Sequence, residues 1–259
     1  MTRAGASPHH PAAGPPPGPG GPPPAPAPGG NDLPSPATPG GRVGSPDGAG
    51  PGAGTAPFHR PVTGAILAGG QSARMGVNKS LLRLGGQRFV ERLLQTLRPL
   101  CGEVAVIAND PGSYQDLGVE VWPDHLPGKG PLGGIHTALS RSRFPHTFCI
   151  ACDMPLARPG VIAYLCQEAP AWDVVVPRLR AGYEPLHAVY ARQVLSRVEA
   201  MLREDRLKVH ALFEHVRVRV VTEEELVPLD PGLVGFTNIN TAEDLARIIH
   251  EGRVKNVGF

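Results

Sequence analysis

The 259 residues carry a formal net charge of +2, with acids and bases interleaved, which argues against a nucleic-acid groove or an anionic membrane surface as partner. No apolar run approaches the roughly 18 residues that span a bilayer, and the N-terminus turns to Pro and Gly without an apolar segment, so neither a membrane span nor a secretory signal is expected. More than half of the 31 prolines and many of the 33 glycines fall in the first sixty residues, a composition unable to bury enough surface to offset the entropy of ordering. Residues 1–60 are therefore expected to be a disordered tail, and residues 61–259 one domain with a single substantial core.

In chain order, the apolar run Val62–Ala68 ends in glycines and reads as a buried strand. Phe89–Leu100 has helical spacing, and Val104–Ala108 is again a strand, followed by the turn signal Asn-Asp-Pro-Gly. A short strand at Val119–Trp122 precedes a Gly/Pro-rich loop, Pro127–Gly134, and a helix over Ile135–Arg141. His146–Asp153 reads as a strand and Pro159–Glu168 as a helix with proline in its first turn. Strands at Asp173–Pro177 and Leu186–Tyr190 and helices at Ala191–Leu202 and Thr241–Glu251 complete the prediction. This alternation predicts a three-layer α/β/α sandwich with a mostly parallel, Rossmann-like sheet, whose ligands gather at the carboxyl ends of the strands.

The strongest chemical signal follows the first strand: Leu67-Ala-Gly-Gly-Gln-Ser-Ala-Arg-Met-Gly-Val-Asn-Lys79. Gly69 and Gly70 free the backbone to turn its N–H groups toward a phosphate. Arg74 adds a planar fork of donors and Lys79 a point charge, a pair suited to a triphosphate losing pyrophosphate. The string is neither a Walker loop nor a G-x-G-x-x-G fingerprint, so the NAD reading loses its main support. Asp153, at the end of an apolar strand and beside this loop, reads as a carboxylate for Mg²⁺, against the alternative of a turn or helix-cap aspartate. Asp124 taken alone is an ordinary turn residue. Gly130–Gly134 could admit a flat base to the backbone or cap a helix, and Asn238 and Asn240 could orient a metal or phosphate ligand or cap the last helix. Cys149 and Cys152 form a C-x-x-C, but positions three apart on a strand face opposite ways, so buried thiols in a reduced cytoplasm are expected rather than a metal or redox pair. His125, His136, His187 and His210 lack metal spacing and read as surface or core residues, with acceptor binding a minor alternative for His187.

LAGGQSARMGVNK resembles the signature loop of the molybdenum cofactor guanylyltransferases, within the wider nucleotidyltransferase family. The likeness continues through WPD around Asp124, GPLGG at 130–134, CDMP around Asp153, YEPLHAVY at 183–190 and NINTAED at 238–244. It implies the nucleotide-diphospho-sugar transferase type of sheet and transfer of GMP from GTP to Mo-molybdopterin, giving the guanine dinucleotide cofactor and pyrophosphate. It also implies nucleotide contacts at Leu67, Ala68, Gly69, Lys79, Asp124 and Asp153, a magnesium ligand at Asp153, and Arg74 on the α- and β-phosphates. Asn78 departs from the family's usual aspartate before the lysine, and the family's asparagine after the second strand has no assigned counterpart. LAGG, with Gly69 where related cytidylyltransferases tend toward Ala, together with GPLGG at 130–134, favours guanine. Cytidylyl transfer to the same pterin or another phosphorylated acceptor, or a non-catalytic nucleotide or cofactor carrier, stand as alternatives. Molybdoenzymes or other cofactor-biosynthesis proteins are conceivable recipients of the product.

Overall fold

The computed structural model describes residues 60–69 and 79–240, together with Asp244 and Arg247. The expected tail before Arg60, the loop residues 70–78 and most of the expected helix at 241–251 lie outside the described residues. The strands are β1 (Arg60–Leu67), β2 (Arg83–Leu84), β3 (Gln87–Arg88), β4 (Cys101–Ile107), β5 (Glu120–Trp122), β6 (His146–Ala151), β7 (Val174–Leu179), β8 (Gly182–Tyr183), β9 (His187–Ala191) and β10 (Val218–Thr222). The helices are α1 (Phe89–Leu97), α2 (Gly130–Arg141), α3 (Pro159–Glu168), α4 (Leu195–Arg203) and the short α5 (Glu223–Leu226).

The main sheet runs β10-β7-β9-β6-β1-β4-β5, with β8 on β7. It is parallel except that β9 runs against both β6 and β7, and β8 against β7. Alternation on the strands divides the interior into two cores. Val62 and Ile66 of β1 and Phe148 and Ile150 of β6 pack with α1 and α3 on one face. Ala65, Leu67 and Cys149 pack with α2 and α4 on the other. This is the three-layer sandwich. Cys149 and Cys152 accordingly pack into different cores.

GPLGG is helix rather than loop. α2 begins at Gly130 with Pro131 in its first turn, where a missing N–H costs nothing. Each glycine inside a helix costs about 1 kcal/mol relative to alanine. Packing explains why two are kept: a Cβ on Gly133 would stand 3.0 Å from the Leu126 carbonyl oxygen, and one on Gly134 would stand 2.8 Å from Leu67 Cδ2. The glycines let α2 close against the end of β1. The expected helix at Ala191–Leu202 is a 3₁₀ turn followed by α4. β10 and the reversed direction of β9 were not anticipated.

His187 is wholly buried on β9, its ring 5.3 Å from Phe148 and 4.5 Å from Phe236, and neither ring nitrogen has a hydrogen-bond partner among the described residues. It is a core residue and presents no surface to an acceptor. Burial pushes its pKa down to about 3. The unfolded chain therefore takes up a proton near pH 6.5 that the folded chain refuses, so stability falls as the pH drops below that value. At pH 5 this one residue costs about 2 kcal/mol, provided only that its folded pKa lies below 5. His187→Leu is expected to lose less stability than wild type between pH 7.5 and pH 5, read from urea-unfolding midpoints; equal losses would contradict the assignment.

Candidate active site

β1, β4, β5 and β6 are parallel, and their carboxyl ends lie at one edge of the sheet. β1 finishes at Leu67, and the next residue stays in the sheet's pattern, with Ala68 N–H donating to the Ile107 carbonyl at 3.0 Å. Gly69 is exposed at the rim, and a Cβ there would make ordinary contact, 3.7 Å from the Ile107 oxygen. The described neighbours do not require glycine at this position. Gly70 and Arg74 belong to 70–78, outside the described residues.

The chain returns at Lys79, which opens a 3₁₀ turn, Lys79–Leu81. The ammonium of Lys79 donates a short hydrogen bond to Asn240 Oδ1. Asn240 sits on the extended segment 238–240, in which Ile239 is buried while Asn238 and Asn240 are exposed. The main-chain N–H of Ile239 donates to the Asp153 carbonyl at 2.8 Å, which places this segment beside the end of β6. The side-chain oxygen of Asn240 is thus engaged by Lys79. The main-chain N–H of Asn240 donates to the Asp244 carboxylate at 3.0 Å.

Asp153 follows β6 by two residues. Cys152 N–H donates to the Leu67 carbonyl at 3.1 Å, so the residues just past β6 stay tied to the end of β1. Asp153 does not cap α3, whose N-cap is Arg158. Its Oδ1 is shielded from solvent and has no hydrogen-bond partner among the described residues. A buried acceptor left unmade costs about 1–3 kcal/mol. Burial pushes the carboxyl above its ordinary range, and the Lys79 cation pulls it part of the way back. A buried carboxylate oxygen lacking donors, whose ionised form is disfavoured by burial and only partly supported by Lys79, fits a divalent cation that would supply the missing charge. Among the described residues no three acidic, histidine or cysteine side chains converge, so a cation at Asp153 would take at most two such ligands from them. Mg²⁺ commonly takes one or two carboxylates and completes its shell with water and phosphate.

Asp124, past β5, is drawn into local structure. Its Oδ1 accepts from Leu126 N–H at 3.0 Å and from the Thr137 hydroxyl at 3.1 Å, tying the turn to α2. Its own N–H donates to Asn109 Oδ1 at 2.9 Å. Asn109 stands just past β4 at the same edge, and sequence reasoning had left it unassigned. The signal was its place after a strand, identical in kind to that of Asp124 and Asp153. The site thus gathers Leu67, Ala68, Gly69, Lys79, Asp124 and Asp153 at one edge, and adds Asn109 and Asn240.

Lys79→Met removes the cation that opposes the burial of Asp153. The carboxyl should then hold its proton to higher pH. The acid limb of a pH–rate profile is expected to move upward, with kcat lower by about 10²- to 10³-fold. An unmoved limb would show that Lys79 and Asp153 do not act on one another.

Residues 64–220 match the family described as the MobA-like NTP transferase domain. A protein of Desulfosudis oleivorans named "Molybdenum cofactor guanylyltransferase" is 37% identical over 198 residues, covering 74% of this chain and 98% of that protein. One of Pelotomaculum thermopropionicum, named "Probable molybdenum cofactor guanylyltransferase", is 39% identical over 191 residues, covering 73% of this chain and 93% of that protein. The crystal structure of molybdopterin-guanine dinucleotide biosynthesis protein A from Archaeoglobus fulgidus superposes with a TM-score of 0.63 at 28% identity, covering 73% of this chain and 98% of that one. By the extent of the matched domain and the identity of these relatives, the chain belongs to the MobA-like NTP transferase family.

Proposed function

We propose that this chain transfers GMP from GTP to Mo-molybdopterin, forming molybdopterin guanine dinucleotide and pyrophosphate, with Mg²⁺ as its metal. The observation that carries the reading is the convergence of Lys79, Asn240 and the Asp153 carboxylate, whose Oδ1 has no hydrogen-bond partner among the described residues, beside the glycine rim of β1. The names of the relatives supply the substrates. A phosphate oxygen of the acceptor attacks the α-phosphorus of GTP, the new phosphoanhydride bond forms, and the bond to the bridging oxygen of pyrophosphate breaks. No protein nucleophile is needed.

Each residue has a share in positioning and charge neutralisation. The backbone of Leu67, Ala68 and Gly69 would face the nucleoside, and Gly69 would let it approach without a methyl group between. Lys79, steered by Asn240, would meet the phosphates from one side, and Arg74 would clamp the α- and β-phosphates. Asp153 would hold Mg²⁺, which when bound neutralises charge on the phosphate oxygens. Asp124, with one oxygen committed to Leu126 and Thr137, would shape the nucleotide side of the rim by fixing the turn against α2.

Pyrophosphate release, measured with each of the four nucleoside triphosphates in the presence of Mg²⁺ and Mo-molybdopterin, tests the reading. Turnover is expected with GTP and is expected to vanish in Asp153→Ala. Turnover with CTP alone would keep the mechanism and overturn the base; none with any triphosphate, from protein that binds GTP, would make the chain a carrier.

A further inference from the structure

The sequence YEPLHAVY contains a carboxylate to which the reaction above gives no task. β7 pairs with β8 and then with β9, with Arg178 opposite Tyr183 and Val175 opposite Val189. Between these pairs the β7 side advances from 175 to 178, while the β8–β9 side advances from 183 to 189. The surplus of three residues is taken up by an irregular bulge at Glu184, Pro185 and Leu186. Bulges bend a strand, re-aim its side chains and concentrate next to active sites. This one is pinned on both sides. Glu184 N–H donates to the Pro177 carbonyl at 2.9 Å, His187 N–H to the Glu184 carbonyl at 3.0 Å, and Ala151 N–H to the Leu186 carbonyl at 3.0 Å. Ala151 ends β6, two residues before Asp153, so the bulge belongs to the same carboxyl edge.

The Glu184 carboxylate is half-buried and accepts no hydrogen bond and forms no ion pair among the described residues, although cations stand close in the chain. The Arg178 guanidinium lies 5.4 Å over the Tyr183 ring, and Arg180 pairs with Glu223 at 3.5 Å. Burial alone pushes the Glu184 carboxyl above its ordinary range. The chemistry does not need it as a base, because the attacking group is a phosphate that is already anionic. Placed against that phosphate it would repel it.

A different part of the acceptor fits. The elements assigned to the nucleotide, β1 and the turn after β5, lie on one side of β6, and the bulge of β8–β9 lies on the other. We propose that Glu184 recognises the acceptor's ring, its two carboxylate oxygens accepting from the 2-amino group and the neighbouring ring N–H of a 2-amino-4-oxopyrimidine. Those donors are parallel and spaced as a carboxylate's oxygens are, the same fork geometry that makes guanidinium–carboxylate pairs bidentate. Glu184 is thereby a specificity-determining residue on the acceptor side, and the assignment rests on the reading of the acceptor given under Proposed function.

The test compares full-length wild type with Glu184→Gln in two ways. Equilibrium titration with metal-free molybdopterin requires no turnover, and is expected to show binding weakened about 10- to 100-fold in the variant, with GTP binding unchanged. In steady state, the KM for Mo-molybdopterin should rise by a similar factor while the KM for GTP stays put. Melting of the variant at or above the wild-type temperature would show that the fold is intact, since the substitution removes a half-buried carboxyl. Equal molybdopterin binding by the two proteins, no binding by wild type, or a loss confined to GTP would each overturn the assignment. If wild type releases no pyrophosphate from GTP, the guanylyl-transfer reading fails, and the titration still decides Glu184.

Discussion

Two main-chain hydrogen bonds hold the candidate site's edge together. Cys152 N–H reaches the Leu67 carbonyl and Ile239 N–H reaches the Asp153 carbonyl, at 3.1 and 2.8 Å. The first continues the β1–β6 ladder beyond its last paired residues, and the second fastens a distant stretch of chain to the same point. Because Ile239 is buried while its neighbours are exposed, that fastening turns Asn238 and Asn240 outward, and Asn240 meets Lys79. Without these backbone ties, residues separated by as many as 161 positions would have no reason to share one site. The charged side chains are thus placed by backbone bonds, which are insensitive to side-chain identity.

Stability and function pull in different directions at this edge. Among the described residues a carboxylate oxygen is buried without a donor and a histidine sits between phenylalanines with neither nitrogen paired, while two glycines weaken α2. The glycines are explained by close packing on Leu67 and Leu126. The Asp153 oxygen lacks a donor among the described residues, and the proposed cation would supply the missing partner. His187 has no such account, and nothing in the described contacts explains why a histidine stands where an apolar side chain would fill the space.

The first strand, the order of motifs and the gathering of Asp153 with the glycine rim were legible because each rests on local signals: an apolar run, a glycine turn, a carboxylate closing a strand. The layer structure followed from alternation of elements. What escaped depends on tertiary contact. GPLGG reads as loop because glycine is a poor helix former, and only the closeness of Leu67 reveals why helix wins. β9 reads like its neighbours because apolar runs carry no direction. Residues 216–220, which lead into and overlap β10, alternate Val and Arg, a period-2 pattern that was present and overlooked. Asn240 looked equally suited to capping until Lys79 and Asp244 divided its polar groups. Glu184 had no local signature, since its bulge is visible only in the pairing of β7 with β8 and β9.

The account stands on the Asp153 carboxylate as the seat of a metal that arrives with the nucleotide. Calorimetric titration of GTP into wild type and Asp153→Asn, with and without Mg²⁺, tests this most directly. Mg²⁺ is expected to tighten GTP binding to wild type by about tenfold or more, roughly 1.4 kcal/mol, and to leave the variant's affinity unchanged. Equal strengthening in both proteins would place the metal elsewhere and contradict the account.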